Sequence, residues 1–425
     1  MNSALPHTTS YYAASINHAV DYPPLKGEHV ADVCVIGAGF TGISTALHLA
    51  ERGYKVHVLE ANRVGWGATG RNGGQIIGGI SGEEKMARKL GAEGERRLWD
   101  MRWAGHDIIR QRVEKYAIAC DLKWGYLDVA IKPRHLRDQE KELAYLQRNN
   151  FPFEVRSLSA AETHETIGTH AYIGALLNMG NGHLHPLNLC LGEARAAVAQ
   201  GAVISEQSQV LRIEDGVKPT VHAELGSVTA DAVVLAGNAY HLVDSRLRGH
   251  LLPVNSYIAA TEPLSDAQVR AINPLDLAVC DPNFILEYFR LSADKRLLFG
   301  ARLNYSGHDP GRIKTVMRKR IQRVYPQLSE IKLDYAWGGT IGVTVNRVPQ
   351  LGRLNNNTFY AQGFCGHGVN VTHLAGQIMA DAVGGTLERM DVFANIPPVV
   401  LPGLRLYSKA LVSLGVAYFR LKDRL

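Results

Sequence analysis

The stretch ADVCVIGAGFTG, residues 31–42, decides how this chain folds. Its first half is short, apolar and rich in β-branched side chains, which predicts a buried strand. Its second half places glycines at positions 37, 39 and 42, and residues 43–52 follow with apolar side chains at helical spacing. A strand, a glycine turn and a helix in this order begin a nucleotide-binding βαβ unit.

A second strand completes the unit. Residues 55–59 have strand character and end in Glu60, eighteen residues beyond Gly42. Gly37 permits the tight turn, Gly39 lets the backbone approach a pyrophosphate, and Gly42 allows close packing of the helix. The helix N-terminus favours phosphate, and Glu60 is placed to accept hydrogen bonds from the adenosine ribose. We therefore predict a dinucleotide site.

Length and composition narrow the class of protein. The chain has 425 residues, enough for two or three hydrophobic cores, and its 46% hydrophobic and 20% charged residues are typical of a globular protein. A net charge of +6 is too mild over this length to indicate a nucleic-acid partner. The five cysteines lie far apart without a CxxC pair, which predicts neither a metal site nor a disulfide framework. A reducing, cytoplasmic location is the simplest interpretation.

The sequence predicts no membrane span. The first thirty residues lack a basic run followed by an apolar stretch of signal-peptide length, and no run of about 18 apolar residues occurs. Residues 404–425 mix apolar and basic side chains, a pattern typical of an amphipathic helix. We expect this helix to pack on the fold, with contact to a membrane surface as the alternative.

Several further segments have strand character. Residues 254–261, 284–291 and 296–301 predict an antiparallel sheet of a separate substrate domain. Residues 232–236, AVVLA, predict a strand that rejoins the first sheet. The expected fold class is α/β plus α+β, with a discontinuous Rossmann-like dinucleotide-binding domain and a second antiparallel-sheet substrate domain.

The chain is expected to pass between these two domains several times. The expected dinucleotide-binding domain, which the resemblance described below makes an FAD-binding domain, comprises residues 25–90, 150–245 and 340–395. The expected substrate-binding domain comprises residues 91–149 and 246–339, and residues 396–425 are expected to form a C-terminal helix.

A second glycine-rich run indicates a flavin and not a nicotinamide cofactor. The run GWGATGRNGGQ, residues 65–75, can lie flat against a long cofactor. Thr69 and Arg71 are available to the pyrophosphate, and the glycines give backbone amides room beside an isoalloxazine ring. With this run the sequence resembles the D-amino-acid-oxidase-like (DAO) FAD oxidoreductases, the superfamily of glycine oxidase, sarcosine oxidase and D-amino-acid dehydrogenase.

The resemblance extends over most of the chain. It includes residues 37–42, ATGRNGGQ at 68–75, AVVLAGNAY at 232–240, the segment after Trp337, and GFCGHG at 363–368. It implies an enzyme with FAD in a Rossmann-like domain and the substrate against an antiparallel sheet. The cofactor residues expected from motif and resemblance are Gly37, Gly39, Phe40, Thr41, Gly42, Glu60, Ala61, Thr69, Arg71, Asn72, Gly73, Gly74, Gln75, Val210, Gly237, Gly363, Gly366, His367, Gly368 and Val369.

Within the family, the sequence is most similar to members that oxidise γ-glutamylated polyamines. The matching stretches include SYYAAS at 10–15, GHLHPLNL at 182–189, YPQL at 325–328 and DVFAN at 391–395. The likeness implies a small-molecule amine as substrate. Its terminal primary amine becomes an aldehyde, with release of ammonia and, if oxygen is the acceptor, of hydrogen peroxide, as a step of putrescine degradation.

One departure from the amino-acid-oxidising members favours an amine. Those members usually carry an arginine after the family tryptophan that clamps the substrate carboxylate, and alignment on Trp337 and Pro349 puts Ile341 there. A carbon without an α-carboxylate suits an apolar neighbour, whereas an α-amino acid would lose a charge-assisted contact. Arg347, with Arg302 as the next candidate, is expected to hold a remote carboxylate such as the glutamyl end, or else to form a structural ion pair.

The remaining site residues follow from the resemblance. Tyr257, Tyr288 and Trp337 are expected beside the substrate, and Trp337 also at the reacting centre. The amides of residues 366–368 and the dipole of the helix after them are expected to stabilise negative charge at the flavin N1/C2=O edge. His367 is expected to add positive charge there or to be a hydrogen-bonded structural histidine. The expected catalytic residues are thus His367 and Trp337.

The electron acceptor stays open. Sarcosine oxidases attach FAD through a cysteine, and no cysteine occurs between Val324 and Phe364, so the resemblance implies non-covalent FAD. Their oxygen-activating lysine corresponds to Leu298, which leaves oxygen or another acceptor as alternatives. Two further functions stay open, a D-amino-acid-type dehydrogenase that passes electrons to a quinone and a non-catalytic FAD-stabilised scaffold.

Overall fold

The glycine turn of residues 37–42 joins a parallel strand to a helix, as its sequence predicts. The computed structural model describes residues 6–283, 286–302 and 310–400. The first strand ends at Ile36, and Gly37 has a φ of 103°, in the region that favours glycine. A Cβ atom on Gly42 would lie 1.8 Å from the carbonyl oxygen of Gly37, so a side chain at this position would push the helix away from the turn.

Two β-sheets with helices packed against them make up the described residues. The strands are β1 (Gly27–Ile36), β2 (Val56–Leu59), β3 (Gln75–Ile76), β4 (Lys123–Ala130), β5 (Val155–Ser159), β6 (Gly174–His183), β7 (Val203–Ser205), β8 (Val210–Glu214), β9 (Thr220–Ala223), β10 (Gly226–Leu235), β11 (Leu252–Thr261), β12 (Ala278–Cys280), β13 (Glu287–Leu291), β14 (Leu297–Arg302), β15 (Leu333–Val343), β16 (Gln350–Arg353) and β17 (Thr358–Gln362). The helices are α1 (Tyr11–Ala14), α2 (Phe40–Glu51), α3 (Glu83–Lys115), α4 (Pro133–Arg148), α5 (Ala160–Ile167), α6 (Pro186–Ala199), α7 (Asp266–Ile272), α8 (Pro310–Val324), α9 (Gly368–Val383) and α10 (Glu388–Ala394).

The first sheet has the parallel centre expected of a nucleotide-binding domain. Its strand order is β16-β17-β10-β1-β2-β7, with the β8–β9 hairpin paired to β10. Strands β17, β10, β1, β2 and β7 run parallel to one another, and α2 packs against α6 and α9. Because the carboxyl ends of parallel strands meet at one edge, the loops after Ile36, Leu59 and Leu235 lie together there.

The second sheet is antiparallel apart from the parallel β12–β4 pair. Its strand order is β15-β11-β14-β13-β12-β4-β6-β3, with β5 paired to β6. Helix α8 packs on one face against β11, β14 and β15, where Tyr257, Phe289 and Phe299 form the centre of a second hydrophobic core. The expected fold class is therefore confirmed, with a Rossmann-like sheet and a separate antiparallel sheet.

The expected domain boundaries need two corrections. Strands β5 and β6 pair with each other and β6 with β4 in the second sheet, although the sequence analysis assigns residues 150–245 to the FAD-binding domain. Helix α3 packs against α9 and contributes Leu98, Met101 and Ile109 to the first core, although residues 91–149 are assigned to the substrate domain. The periodicity of a segment predicts its type of structure but does not say which sheet or helix it packs on.

The last part of the chain adds little to the described fold. Residues 396–400 follow α10 without regular structure, and the rest of the expected C-terminal helix, residues 401–425, lies outside the described residues. Across the described ranges, every helix is too short or too polar to cross a membrane.

A buried ionic network joins four helices beside the first sheet. Arg112 of α3 donates to the Glu193 carboxylate of α6 at 2.9 Å and to the Ser44 hydroxyl of α2 at 3.0 Å. His373 of α9 contacts the same carboxylate at 3.1 Å. Burial opposes ionisation of Glu193, but His373 and Arg112 outweigh it and hold the pKa of the carboxyl below its ordinary value. The network therefore fixes α9 against the helix that follows the glycine turn.

We expect Glu193→Ala to lower the free energy of unfolding by about 3–5 kcal/mol, because it leaves the Arg112 guanidinium buried without its carboxylate. Urea unfolding of the FAD-loaded protein measures the change. The matched control is Glu93→Ala, which removes an exposed ion pair with Arg97 on α3 and is expected to have little effect. Equal losses of unfolding free energy in the two variants would show that this network does not hold the helices together.

Candidate functional site

A deep cavity begins at the carboxyl edge of the first sheet and continues between the two sheets. Its volume is about 1580 Å³, which exceeds the roughly 300–1,000 Å³ typical of a site for one small ligand. One wall consists of the loops after β1, β2 and β10 and the start of α9, and the other consists of residues from β4, β12, β13 and β15. The cavity therefore has room for a cofactor and a substrate side by side.

A carboxylate held by backbone amides lies at one end of the cavity. The Ala38 amide donates to Glu60 Oε2 at 2.8 Å, and the Asn62 amide donates to Oε1 at 2.9 Å. Burial raises the pKa of Glu60, and these amide hydrogen bonds oppose that rise. Glu60 lines the cavity at the end of β2, the position that binds ribose hydroxyls in nucleotide-binding folds.

Arg71 supplies positive charge to the cavity without a carboxylate partner among the described residues. Its Nε donates to the Trp66 carbonyl at 2.9 Å, and its guanidinium carbon lies 4.3 Å from the centre of the Trp66 ring. Burial lowers the pKa of Arg71, since no carboxylate nearby offsets the loss of water. A bound anion such as a pyrophosphate would neutralise this half-buried cation.

Two helix N-termini also point into the cavity. Helix α2 begins at Phe40, whose amide donates to Thr69 Oγ1 at 3.0 Å, and helix α9 begins at Gly368 after the N-cap residue His367. The N-terminus of each helix carries partial positive charge that favours anionic groups. Together with Glu60 and Arg71, these donors fit the ribose and phosphates of a dinucleotide.

The glycine-rich loop packs closely against the second sheet. A Cβ atom on Gly73 would lie 2.5 Å from the Tyr288 ring, and one on Gly339 would lie 3.0 Å from Arg71 Cβ. The Asn72 side chain holds the loop by accepting from the Gly74 amide at 2.7 Å. A planar ring system fits against the glycines of this loop because they carry no side chain. The residues present therefore fit FAD.

Most of the expected cofactor residues line this cavity. They are Gly37, Gly39, Phe40, Thr41, Glu60, Ala61, Thr69, Arg71, Asn72, Gly73, Gln75, Val210, Gly237, Gly366, His367, Gly368 and Val369. The expected residues Gly42, Gly74 and Gly363 lie behind the lining, where they shape the backbone. Gly363, with a φ of 78°, donates its amide hydrogen to the Asn238 side chain at 3.1 Å.

Two expected substrate residues do not reach the cavity. Tyr257 is fully buried in the core of the second sheet, because alternation along β11 turns its neighbour Ser256 to the cavity instead. Trp337 is also buried, and its Nε1 donates to the Arg71 carbonyl at 3.1 Å. The expected catalytic and substrate-binding role of Trp337 is therefore corrected to support of the glycine-rich loop.

Three other expected residues have different outcomes. Tyr288 and Arg347 line the cavity, and Arg347 donates to the Cys365 carbonyl at 3.4 Å. His367 is half-buried at the start of α9 and lines the cavity too. The Arg302 side chain lies outside the described part of the chain. The roles of Arg347, Tyr288 and His367 in binding or catalysis stay predictions.

The sequence analysis missed an acidic region of the cavity wall. Asp128, Glu142 and Asp281 line the cavity on the side of the second sheet. A signal for Asp128 exists in the sequence, because in β4 it alternates with the buried Leu127 and Val129 and so belongs to the opposite face. No group of three or more His, Cys, Asp or Glu side chains in the described ranges is arranged to hold a metal ion.

Comparison with known proteins agrees with this site. Residues 32–382 match the model of the family described as DAO, FAD dependent oxidoreductase. The chain is 40% identical over 423 residues to γ-glutamylputrescine oxidoreductase of Escherichia coli K12, which covers 99% of each chain. It is 41% identical over 429 residues to the probable oxidoreductase OrdL of Haemophilus influenzae, which covers 98% of each chain.

Solved structures with low sequence identity share the fold. Glycine oxidase from Geobacillus kaustophilus superposes with a TM-score of 0.73 at 20% identity, covering 87% of this chain and all of its own. L-proline dehydrogenase from P. horikoshii superposes with a TM-score of 0.69 at 21% identity, covering 85% of this chain and 94% of its own. From the family match and the full-length relatives, the chain belongs to the DAO family of FAD-dependent oxidoreductases.

Proposed function

We propose that this FAD-dependent oxidoreductase acts on the terminal primary amine of γ-glutamylputrescine or of a related γ-glutamylated polyamine. The amine loses two electrons and two protons, one proton from its carbon and one from its nitrogen, and becomes an imine. Water then hydrolyses the C=N bond of the imine to give the aldehyde and ammonia. Oxygen, where it is the acceptor, takes the electrons and protons and becomes hydrogen peroxide. FAD, when bound, supplies the two-electron oxidation that amino-acid side chains cannot perform. The proposal includes non-covalent FAD and a cytoplasmic location.

The observation that carries the proposal is the apolar side chain of Ile341 in the cavity wall. Gly339 packs against Arg71 of the glycine-rich loop, and Ile341 lies two residues further along β15, on the same face of the strand. An α-amino acid would need a cation for its carboxylate at this place, whereas a primary amine does not. The printed name of the Escherichia coli relative, similar over the full length, supports the same substrate.

The cavity wall around Ile341 also suits a neutral amine. The described lining residues from β11, β13 and β15 are Ser256, Tyr288, Gly339, Ile341 and Gly342, and none of them is ionised at neutral pH. An apolar wall disfavours the ammonium form of a bound amine. The nitrogen lone pair is then free to stabilise the positive charge that develops as its carbon is oxidised, and no side-chain base is required.

We further propose that Arg71 binds the pyrophosphate of FAD. We expect Arg71→Met to raise the Kd for FAD about ten- to hundredfold, the loss of one hydrogen bond to a charged group. Release of flavin fluorescence on dilution measures this Kd. The matched control is Arg212→Met, which removes an exposed arginine paired with Glu214 and is expected to retain FAD. If Arg71→Met retained FAD as tightly as the wild type, groups other than Arg71 would bind the pyrophosphate.

The substrate is tested by anaerobic bleaching of the bound flavin. We expect γ-glutamylputrescine to bleach the flavin absorbance within seconds of mixing in a stopped-flow instrument. Glycine and D-alanine at the same concentration are expected to leave it oxidised, because the apolar wall at Ile341 offers their carboxylate no partner. Flavin that binds but stays oxidised with γ-glutamylputrescine would contradict the proposed substrate.

The electron acceptor can be identified in the same cuvette. Leu298, at the place where the resemblance puts the oxygen-activating lysine, is a fully apolar side chain and is buried. This observation favours a second candidate function, a dehydrogenase that passes electrons to a quinone. Admission of air and a peroxide assay separate the two, since rapid reoxidation with peroxide identifies an oxidase and reduced flavin that persists identifies a dehydrogenase.

We expect Ile341→Arg to lower kcat/KM for the amine at least about tenfold, because a cation beside the carbon opposes the positive charge that develops there. Ile341→Leu is the matched control and is expected to retain most activity, since it keeps the wall apolar. Steady-state turnover and the rate of anaerobic flavin reduction measure the effect. A loss of similar size in both variants would show that shape, and not charge, matters at this position.

A further inference from the structure

The part of the cavity wall on the second sheet and α4 is acidic. Asp128, Asp138, Glu142 and Asp281 line it, and the arginine in the same wall, Arg102, is already hydrogen-bonded to Glu142. The arginine and helix N-termini described above face the cofactor on the opposite side. The cavity is therefore polarised, with positive groups near the expected phosphates and carboxylates in the region left for a substrate.

Asp128 differs from the other carboxylates of this wall. Asp281 accepts from the Asn283 and Glu287 amides, at 2.9 and 3.1 Å, and Asp138 is paired with Lys141. The Asp128 side chain accepts no hydrogen bond from any donor in the described ranges, and Gln139 donates only to its backbone carbonyl. Its partly buried carboxylate lines the cavity, so a cationic group of a ligand in the cavity can pair with it.

The surroundings of Asp128 make an anion costly there. Burial raises the pKa of Asp128 to about 7, and the neighbouring carboxylates of Glu142 on α4 and of Asp281, directly after β12, contribute to the rise. Arg102 lies nearby but binds Glu142. A ligand cation would offset both the loss of water and the repulsion between carboxylates.

The register of the second sheet gives the distance from Asp128 to Tyr288, which packs against the glycine-rich loop. Asp128 pairs with Cys280, Cys280 pairs with Tyr288, and the Tyr288 ring lies against Gly73. Neighbouring strands are about 4.8 Å apart, so the Asp128 backbone is about 10 Å from that of Tyr288. In γ-glutamylputrescine about nine bonds separate the reacting carbon from the α-nitrogen, a span of about 11 Å when the chain is extended.

We propose that Asp128 binds the ammonium group at the end of the substrate remote from the reacting amine, which is the α-ammonium of the γ-glutamyl group. This assignment rests on the proposed function and names the residue that selects substrates with a second cation. The reacting amine is excluded as its partner, because a carboxylate beside that nitrogen would keep it protonated and unable to be oxidised. A substrate of this length thus has its cation at Asp128 and its reacting carbon near the contact between Tyr288 and Gly73 of the glycine-rich loop.

The test compares two substrates that differ in one group. γ-Glutamylputrescine carries the α-ammonium, and N-(4-aminobutyl)glutaramate keeps the carboxylate, the amide and the terminal amine but lacks it. We expect Asp128→Asn in the FAD-loaded enzyme to raise KM for γ-glutamylputrescine about ten- to hundredfold with little change in kcat, as expected for one lost charge-assisted hydrogen bond. KM for the glutaramate is expected to stay as in the wild type.

The matched control is Asp266→Asn. It removes the same charge from α7, where the exposed side chain is paired with Lys295 and does not line the cavity, and is expected to leave both KM values unchanged. An equal rise of KM for both substrates in Asp128→Asn, or no rise, would overturn the assignment while the proposed function stands. Failure of γ-glutamylputrescine to reduce the wild-type flavin would instead overturn the proposed function.

A stability measurement on the same variant tests whether Asp128 lacks a partner in the protein. Since its pKa rises from 3.8 unfolded to about 7 folded, the ionised carboxylate destabilises the fold, by an amount that is zero well below pH 3.8 and complete above about pH 7. We expect Asp128→Asn to melt at a higher temperature than the wild type, with a larger difference at about pH 8.5 than at about pH 5. A difference that does not grow with pH would mean that the protein itself pairs this carboxylate.

Discussion

The close approach of Gly42 to the carbonyl of Gly37 is the contact on which the site depends. It brings α2 against the end of β1, so the helix N-terminus faces the loops after β2 and β10 at the same sheet edge. The buried network of Arg112, Glu193 and His373 then fixes α9 beside α2, and the start of α9 becomes a second positive helix end at the cavity. A backbone contact and one ionic cluster thereby place both helix ends that face the cofactor.

The motifs predicted well which residues line the cavity at the edge of the first sheet, because the chemistry of dinucleotide binding constrains the backbone itself. Glycines that permit a turn and an acidic residue at a strand end have recognisable spacing, and Gly37, Glu60 and Arg71 all line the cavity. The substrate side was harder to predict because side chains act there, and their direction depends on strand register. A shift of one residue reverses the face, which is why Ser256 lines the cavity and Tyr257 does not.

Trp337 shows a second limit of reasoning from sequence. Its place in a family segment predicts proximity to the flavin, and it is indeed bonded to the loop through Arg71. Whether a residue touches the substrate or supports one that does depends on packing between sheets that lie far apart in sequence. The same reason explains the misplaced domain boundaries, since the buried strand β6 has no feature that distinguishes the two sheets.

The polarity of the cavity links cofactor binding to substrate choice. Positive groups on the first domain are placed to attract the phosphates of FAD. Once these phosphates are bound, the electrostatic field that a substrate meets in the cavity comes from carboxylates on the second sheet. An unpaired carboxylate in a partly buried wall destabilises the empty protein, and a cationic substrate removes that penalty when it binds. A chain with a neutral end at the glycine-rich loop and a charged end at Asp128, about two strands from Tyr288, would satisfy both walls, whereas a short α-amino acid would have to place its charged groups against an apolar surface. On the proposed function, selection of a long amine follows from where the second sheet places one isoleucine and one aspartate.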